Sequence, residues 1–583
     1  MRVITVIPIQ RGIGKETLSY FTSSQVEVGS LVKVPLRNKT IDALMVSSED
    51  ARNIKSEIKS ANFSLRKIDK VISKPFLSEA FMKTVENVAR YHGATTGAVL
   101  NILLPKKKLQ EQDSFLSGPD LPPNPPSKKD LVPATSFLGN LNDRTQRYQK
   151  EISKNPKTVI IAPTKERQQT FKKIFPTTPI LLPSSVVEIP LDTSFIIIED
   201  TKSNTYKSIS RPFIDFRFAI KRYTKEIGAN ILEGDTSLNT EVKKVLEEHK
   251  KEEHKNYNSL GKSLEKAVDA LSYKPSHLFI LGTRKGHSGT VVCQECKHTL
   301  MCTKCNAPLT LHLKKEYEEY NNLLCHHCGH KETALRPCAN CKSWKLKAFG
   351  LGIEKIEEDV KELCKKNNAD VNIQRIDSTL KLTPKKIREI IAHHYAQDYS
   401  VLIATELILP YLVEATLENK KNDSSFIASL DSLLALPDFS INQKIWRLAC
   451  MLDEVTKDKV VIQTKNTTHQ LLTDWENNDE KSFFEKELAE RKEYNYPPFS
   501  VFIKLSISGN KEKIGNEMKK VEKVLAKWKP LVFPAFIKSI KNQHILHALI
   551  SIPKEQWVDE ELLDTLLSLP PFVTVNVNPV SLL

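Results

Sequence analysis

Cysteine is scarce in this chain of 583 residues, with ten in all. No apolar run reaches 18 residues, so no segment is expected to cross a membrane as a helix. The first stretch, MRVITVIPIQRGIGK, has too short an apolar run for a secretory signal and no small-residue cleavage site. A secreted disulfide scaffold is short and carries such a signal, so a reducing cytoplasm is the expected compartment.

What cysteine there is lies together. Eight of the ten fall between Cys293 and Cys341 as four C-x-x-C pairs: Cys293/Cys296, Cys302/Cys305, Cys325/Cys328 and Cys338/Cys341. Cys364 and Cys450 stand apart. In a reducing compartment such pairs read as thiolate ligands, because each tight turn offers two sulfurs to one ion. Four pairs complete two tetrahedral all-thiolate zinc sites. Redox pairs of thioredoxin type need a βαβ setting and rarely come four at once. His312, His326, His327 and His330 could replace a cysteine, but eight sulfurs already satisfy two ions. The gaps between pairs are 5, 19 and 9 residues, which leaves both nested and sequential pairings open. The central gap has room for a hairpin or arm.

The net charge of +16 and a pI near 9.1 favour a polyanionic partner, and nucleic acid is the usual one. A merely lysine-rich composition is the bland alternative. The length implies several domains, at about 150 residues each. RVITVIPI, VEVGSLVKVPLR and DALMVSS read as strands, and FMKTVENVARYHG as a helix that closes a small β-rich module. KKKLQEQD and SGPDLPPNPPSKKD read as an extended linker. TVIIAP and TSFIIIED are continuous apolar runs, as buried parallel strands should be, with the helix RFAIKRYTKEIGA between strands. ANILEG and HLFILGTR follow as strands of this first α/β half. The cysteine block comes next, then a second α/β half with DVNIQRID, SVLIATEL and KVVIQTK as strands. The last segment opens with the helix EKSFFEKELAERKEY.

These stretches resemble the primosome-assembly helicase (PriA) family over nearly the whole chain. The most specific part is CQECKHTLMCTKCNAPLTLH with LLCHHCGHKETALRPCANC, followed by FGLGIEKIEED, where Gly350, Gly352 and Glu354 match the family's G-x-G-T-E-R. Arg375-Ile-Asp377, Leu436-Pro-Asp-Phe439, Val461-Ile-Gln-Thr464, Glu487-Leu-Ala-Glu-Arg491 and Tyr496-Pro-Pro-Phe499 match further elements, and GTRKGHSG keeps Arg284 and Gly286 of N-R-R-G-Y-A-P, with Lys285 keeping a charge. The resemblance implies a multidomain α/β protein. Its parts are a β-rich DNA-binding module at 1–105, a Pro/Lys linker at 106–130, helicase lobes of RecA type at 131–290 and 346–475, a two-zinc insert at 291–345 and an α+β C-terminal domain at 476–583. It also implies nested cysteines, Cys293, Cys296, Cys338 and Cys341 on one zinc and Cys302, Cys305, Cys325 and Cys328 on the other. The family is a superfamily 2 DNA helicase that binds stalled forks, moves 3′ to 5′ and helps load the replicative helicase.

The motor motifs are degenerate. A P-loop needs G-x-x-x-x-G-K-[ST], whose N–H groups and lysine cradle phosphate while the hydroxyl meets Mg²⁺. The chain reads FLGNLNDRTQRY there, with Gly139 kept, Arg144-Thr145 in place of Lys-Thr, and a negative Asp143. Gly261-Lys262-Ser263 is a decoy, since no glycine precedes it at the right spacing and no strand feeds it. D-E-E-H is Glu199-Asp200-Thr201-Lys202, S-A-T is replaced within LEGDTSLN, and Q-x-x-G-R-A-G-R becomes RLACMLDEVTKD, with no arginine beyond Arg447. These losses predict a dead site for ATP and Mg²⁺, hence a pseudoenzyme.

On the DNA side, the family's module grips a 3′ end through T-F-D-Y. Here Thr17-Leu18-Ser19-Tyr20 keeps a ring that could stack on a base or pack in the module's core. Lys33 and Arg37 could touch phosphates or lie solvated, and the winged-helix domain is expected to be absent. Three readings follow: a cytoplasmic, nucleoid-associated protein that has lost its motor and binds forked or single-stranded DNA and primosome or replication proteins; a divergent active helicase; and a zinc-stabilised scaffold without DNA.

Overall fold

The computed structural model describes the chain except residues 54–64, 106–133, 239–241, 249–260, 283–289, 350–351, 435–437, 536–543 and 583 and, in the cysteine-rich segment, 294, 297, 299, 304–308, 313–321, 326–329 and 335. The expected linker at 106–130, and Arg284, Lys285, Cys305 and Cys328, therefore lie outside the described residues.

The N-terminal module is a six-stranded sheet built around Arg2–Pro8 and Lys39–Asp50, with Leu18–Thr22 and Leu31–Leu36 outside them and two short strands at its edges. Alternation sends Ile4, Val6, Val32, Val34 and Met45 to one face. Ile7, Leu31 and Leu44 face the other way and join the helices Glu79–Tyr91 and Thr96–Leu103. Ser78 caps the first of these, its hydroxyl accepting from the Phe81 N–H. The second approaches the sheet so closely that a Cβ on Gly97 would stand 2.0 Å from the Pro8 carbonyl. The same apolar cluster continues into Ile196, Ile198, Tyr206 and Tyr223, so the module is packed onto the first α/β lobe.

That lobe is a five-stranded parallel sheet in the order Thr135–Leu138, Asn230–Asp235, Phe195–Glu199, Thr158–Ile161, Ile180–Leu181. Thr158–Ile161 is buried at every position, as a strand covered on both faces must be. The second lobe is a six-stranded parallel sheet in the order Lys243–Glu248, Thr456–Thr464, Asn422–Ile427, Ser276–Leu281, Tyr399–Ala404, Asn372–Ile376. The strand Ser276–Leu281, expected in the first half, is thus a central strand of the second sheet. A short apolar run states that a strand is buried, not which sheet buries it. The cysteine-rich segment in consequence leaves and re-enters the second lobe, between Leu281 and the helix Ile353–Lys366, instead of separating the halves.

In that segment Thr290–Cys293 pairs antiparallel with Leu346–Phe349. The central gap does hold a hairpin, Thr310–His312 against Asn322–Leu324, extended by Lys331–Thr333. The GKS decoy sits at the start of the helix Lys262–Ala270, with Gly261 as its N-cap. After the second lobe, the helices Gln470–Glu476 and Glu480–Glu493 pack Leu472, Trp475 and Phe483 into its core. A four-stranded antiparallel sheet follows, Leu531–Pro534, His544–Pro553, Ser500–Gly509, Thr574–Val577, covered by the helices Lys511–Val524 and Glu560–Ser568. No described helix is long and apolar enough to cross a membrane.

Candidate nucleotide cleft and metal centre

The strand Thr135–Leu138 feeds the helix Leu141–Lys154, where a phosphate loop would lie. Asn140 caps the helix in the ordinary way, its side chain accepting from the Asp143 N–H at 2.9 Å. Thr145 turns its hydroxyl back to the Asn142 carbonyl at 2.8 Å. Arg144 is buried and donates to the Gly139 carbonyl at 2.8 Å and to Glu199 at 3.2 Å. Burial opposes its charge, yet Glu199 and Glu454 raise its pKa overall.

Glu199, at the end of Phe195–Glu199, is fully buried and held from three sides. Arg144 pairs with one carboxylate oxygen, Arg167 stands 3.5 Å from the same oxygen, and the Tyr148 hydroxyl donates to the other at 2.6 Å. Tyr148 reaches it only because residue 234 is glycine, for a Cβ there would lie 1.7 Å from the Tyr148 oxygen. Burial, then Glu199, pushes the Tyr148 phenol well above its usual pKa, so it stays a donor. Asp200, in a left-handed conformation at φ 54°, turns the other way and pairs with Arg447 at 2.6 Å. Burial works against the Asp200 charge, but Arg447 and Arg144 hold its pKa below the ordinary value. Arg447 also reaches Asp235 at 3.3 Å.

Gly139, Arg144, Thr145, Glu199 and Asp200 are therefore brought to one place, the cleft between the lobes. Sequence reasoning did not select Tyr148, Arg167, Asp235, Glu414 or Glu454, which complete the network. The exchange of the loop lysine for Arg144, with carboxylates kept at Glu199 and Asp200, was the available signal, since a guanidinium pairs readily with a carboxylate.

The metal-ligand candidates divide by placement. Cys293, Cys296, Cys338 and Cys341 have their sulfurs within 4.8 Å of one another. Cys293 and Cys341 are 3.4 Å apart and Cys296 and Cys338 3.6 Å, near the separation of about 3.8 Å that a tetrahedral ion with 2.3 Å bonds to sulfur imposes. This group could hold a metal ion, and it joins the first and last pairs, the grouping implied by the resemblance. Backbone N–H groups point at the sulfurs. That of Cys296 lowers the Cys293 thiol, and that of His298 helps bring Cys296 down to about 6. Three of the four turns are closed by the same bond, the first cysteine's N–H donating to the carbonyl five residues on: Cys293 to His298, Cys338 to Ser343, and also Cys325 to His330. Cys302 and Cys325 are buried beside Val291, Leu300, Leu309 and Leu323. The His330 ring lies 3.7 Å from Glu332.

The expected DNA contacts look different. Tyr20 is 5% exposed within the module's core and donates to the Pro35 carbonyl at 3.0 Å, so its ring is packing and not a stacking platform. Lys33 stands 3.7 Å from Asp42. Arg37 is at φ 54° between the strands Leu31–Leu36 and Lys39–Asp50, and its carbonyl accepts from Arg66 at 3.3 Å.

Residues 3–105 match the family model for the 3′DNA-binding domain (3′BD) of PriA. The chain is 25% identical over 414 residues to the replication restart protein PriA of Borreliella burgdorferi, covering 66% of this chain and 58% of that protein. It is 30% identical over 234 residues to the replication restart protein PriA of Treponema pallidum, covering 39% and 33%. Against the Helicobacter pylori (strain ATCC 700392 / 26695) replication restart protein PriA it is 22% identical over 572 residues, 86% of each chain. The matched stretch is thus little more than half of the Borreliella protein and a third of the Treponema one. The match of residues 3–105 to the 3′DNA-binding domain and the likeness over 86% of the chain to the Helicobacter protein together support membership of the PriA family.

Proposed function

We propose that this protein is a replication-restart protein that binds forked or single-stranded DNA, carries two zinc ions in its cysteine-rich segment, and has lost ATP-driven unwinding. The DNA reading is supported by the 3′DNA-binding domain match and by the excess of 16 positive charges. The observation that carries the loss of the motor is the state of Glu199. A carboxylate that serves Mg²⁺ must face an open site, whereas this one is enclosed by Arg144, Arg167 and Tyr148. The single helicase-element arginine, Arg447, is likewise engaged by carboxylates, Asp200 at 2.6 Å and Asp235 at 3.3 Å.

Zinc in the group of Cys293, Cys296, Cys338 and Cys341 is supported by the sulfur separations. A second ion on Cys302, Cys305, Cys325 and Cys328 is supported by the closure of the Cys325 turn, which repeats that of the first-site turns. Bound there, each ion supplies a fixed cross-link between two turns, a folding role for a segment with a small apolar core of its own. Primosome and replication proteins are the proposed partners. The test is titration of forked DNA into the purified protein with and without ATP. DNA binding without turnover supports the reading, turnover favours the active helicase, and no binding favours the scaffold.

A further inference from the structure

The helix Ile441–Glu454 places Arg447 and Glu454 seven residues apart, hence on one face, and that face is turned to the first lobe. The two side chains meet opposite chemistry there. Arg447 takes the carboxylates of Asp200 and Asp235. Glu454 takes donors: the Leu141 N–H at 2.6 Å and the Thr236 hydroxyl at 2.9 Å. Leu141 is the first residue of the helix Leu141–Lys154, so its N–H is one of the groups that a helix cannot satisfy internally and that commonly receive anions. The Glu454 carboxylate is 1% exposed and sits where a phosphate oxygen would be held.

We infer that Glu454 is a built-in occupant of the anion position at the head of the Leu141–Lys154 helix, and that with Arg447 it latches the two lobes closed without nucleotide. The inference deepens the proposed loss of the motor and rests on it. In a motor the lobes close on a nucleotide that bridges them. Here the bridge is made of the chain's own side chains, with a cation and an anion on one helix face matched by acceptors and donors on the other lobe. The surroundings reinforce it. Asn142 donates to the Thr416 carbonyl at 3.3 Å, Arg167 lies 3.7 Å from Glu414, and a continuous apolar core joins Leu141, Tyr148 and Phe171 to Leu409, Leu412 and Ala449. Arg388, 3.4 Å from Glu414, completes the charge around that carboxylate.

The test places a fluorophore pair on genetically encoded azido residues at the exposed positions 172 and 385, one on each lobe, in the full-length zinc-loaded protein. Wild type is expected to give one transfer-efficiency population that ATP, ADP and inorganic phosphate leave unmoved. The variant Arg447→Ala/Glu454→Gln is expected to broaden that population, and hydrogen exchange at the Leu141 amide to rise by about tenfold or more. A wild-type population that shifts with ATP overturns the latch, as does a variant unchanged in both readouts. If circular dichroism shows the variant unfolded, the wild-type arm decides alone: one nucleotide-insensitive population upholds the latch and two interconverting ones reject it. ATP turnover would count against the proposed function and the latch together, because hydrolysis needs the position that Glu454 fills, whereas a wild-type population that moves without turnover would overturn the latch alone.

Discussion

Arg144 and Glu199 form an ion pair at 3.2 Å with side chains 3% and 0% exposed. They stand at facing positions of two degenerate motor motifs and pair with each other. Removing one member of such a pair strands the other as a buried charge. Glu199→Ala should therefore destabilise the protein by about 3–5 kcal/mol, since it strips Arg144 of its ion-pair partner and leaves Arg167 with Glu414 alone. Urea unfolding followed by circular dichroism measures this. A loss within the scatter of surface substitutions would mean that water reaches the pair.

Purified protein should contain two zinc ions per chain by elemental analysis. Cys293→Ser should remove one of them and loosen the strands Thr290–Cys293 and Leu346–Phe349 while leaving the two lobes folded. Structural zinc contributes about 10–16 kcal/mol of apparent folding energy in small domains, so the local effect should be complete. A metal-free protein, or four disulfides by thiol counting, would contradict the assignment.

Forked DNA should bind more weakly as salt rises, with a log–log slope of several units, because phosphate contacts release counterions. Tyr20→Ala should lower stability more than it lowers DNA affinity, because the ring is in the module's core. Flat affinity across salt would reduce the +16 charge to a matter of composition.

Acid should weaken the junction between the N-terminal module and the first lobe. His92 is buried, and its two ring nitrogens meet the Val88 carbonyl and the Asp215 N–H, which suits only the neutral ring. Burial lowers its pKa from 6.5 to about 4. The unfolded chain takes up the proton first, so stability falls as pH drops from 6.5 toward 4, by about 2 kcal/mol near pH 5 from this residue. His92→Gln should flatten that part of the stability-versus-pH curve, and an unchanged curve would exclude the mechanism.

The sequence disclosed what local chemistry encodes. The cysteine turns, the buried parallel strands and the departure of FLGNLNDRTQRY from the phosphate-loop pattern are each written in a few consecutive residues. Sheet membership is not, because the pairing of Ser276–Leu281 with Tyr399–Ala404 and Asn422–Ile427 is set more than a hundred residues away. The matched motifs had no assigned roles until folding brought them together. Arg491 of the ELAER stretch bonds Glu487, the Pro497 carbonyl and the Phe439 carbonyl, so three motifs form one clamp between the second lobe and the last segment. Arg375 of RID stands 2.9 Å from Glu357 and 3.2 Å from Asp377 in the same manner. Glu454 was invisible because it lies inside RLACMLDEVTKD, the stretch that stands in place of the arginine element, and matches nothing in that element.

The most direct test of the account is ATP turnover by the full-length, zinc-loaded protein with saturating forked DNA. No DNA-stimulated hydrolysis is expected. Arg144→Lys should recover none, because Glu454 still fills the head of the helix and Gly139 is the loop's single glycine. Turnover of about one per second or faster in wild type, the ordinary enzyme range, would contradict the account and restore the helicase.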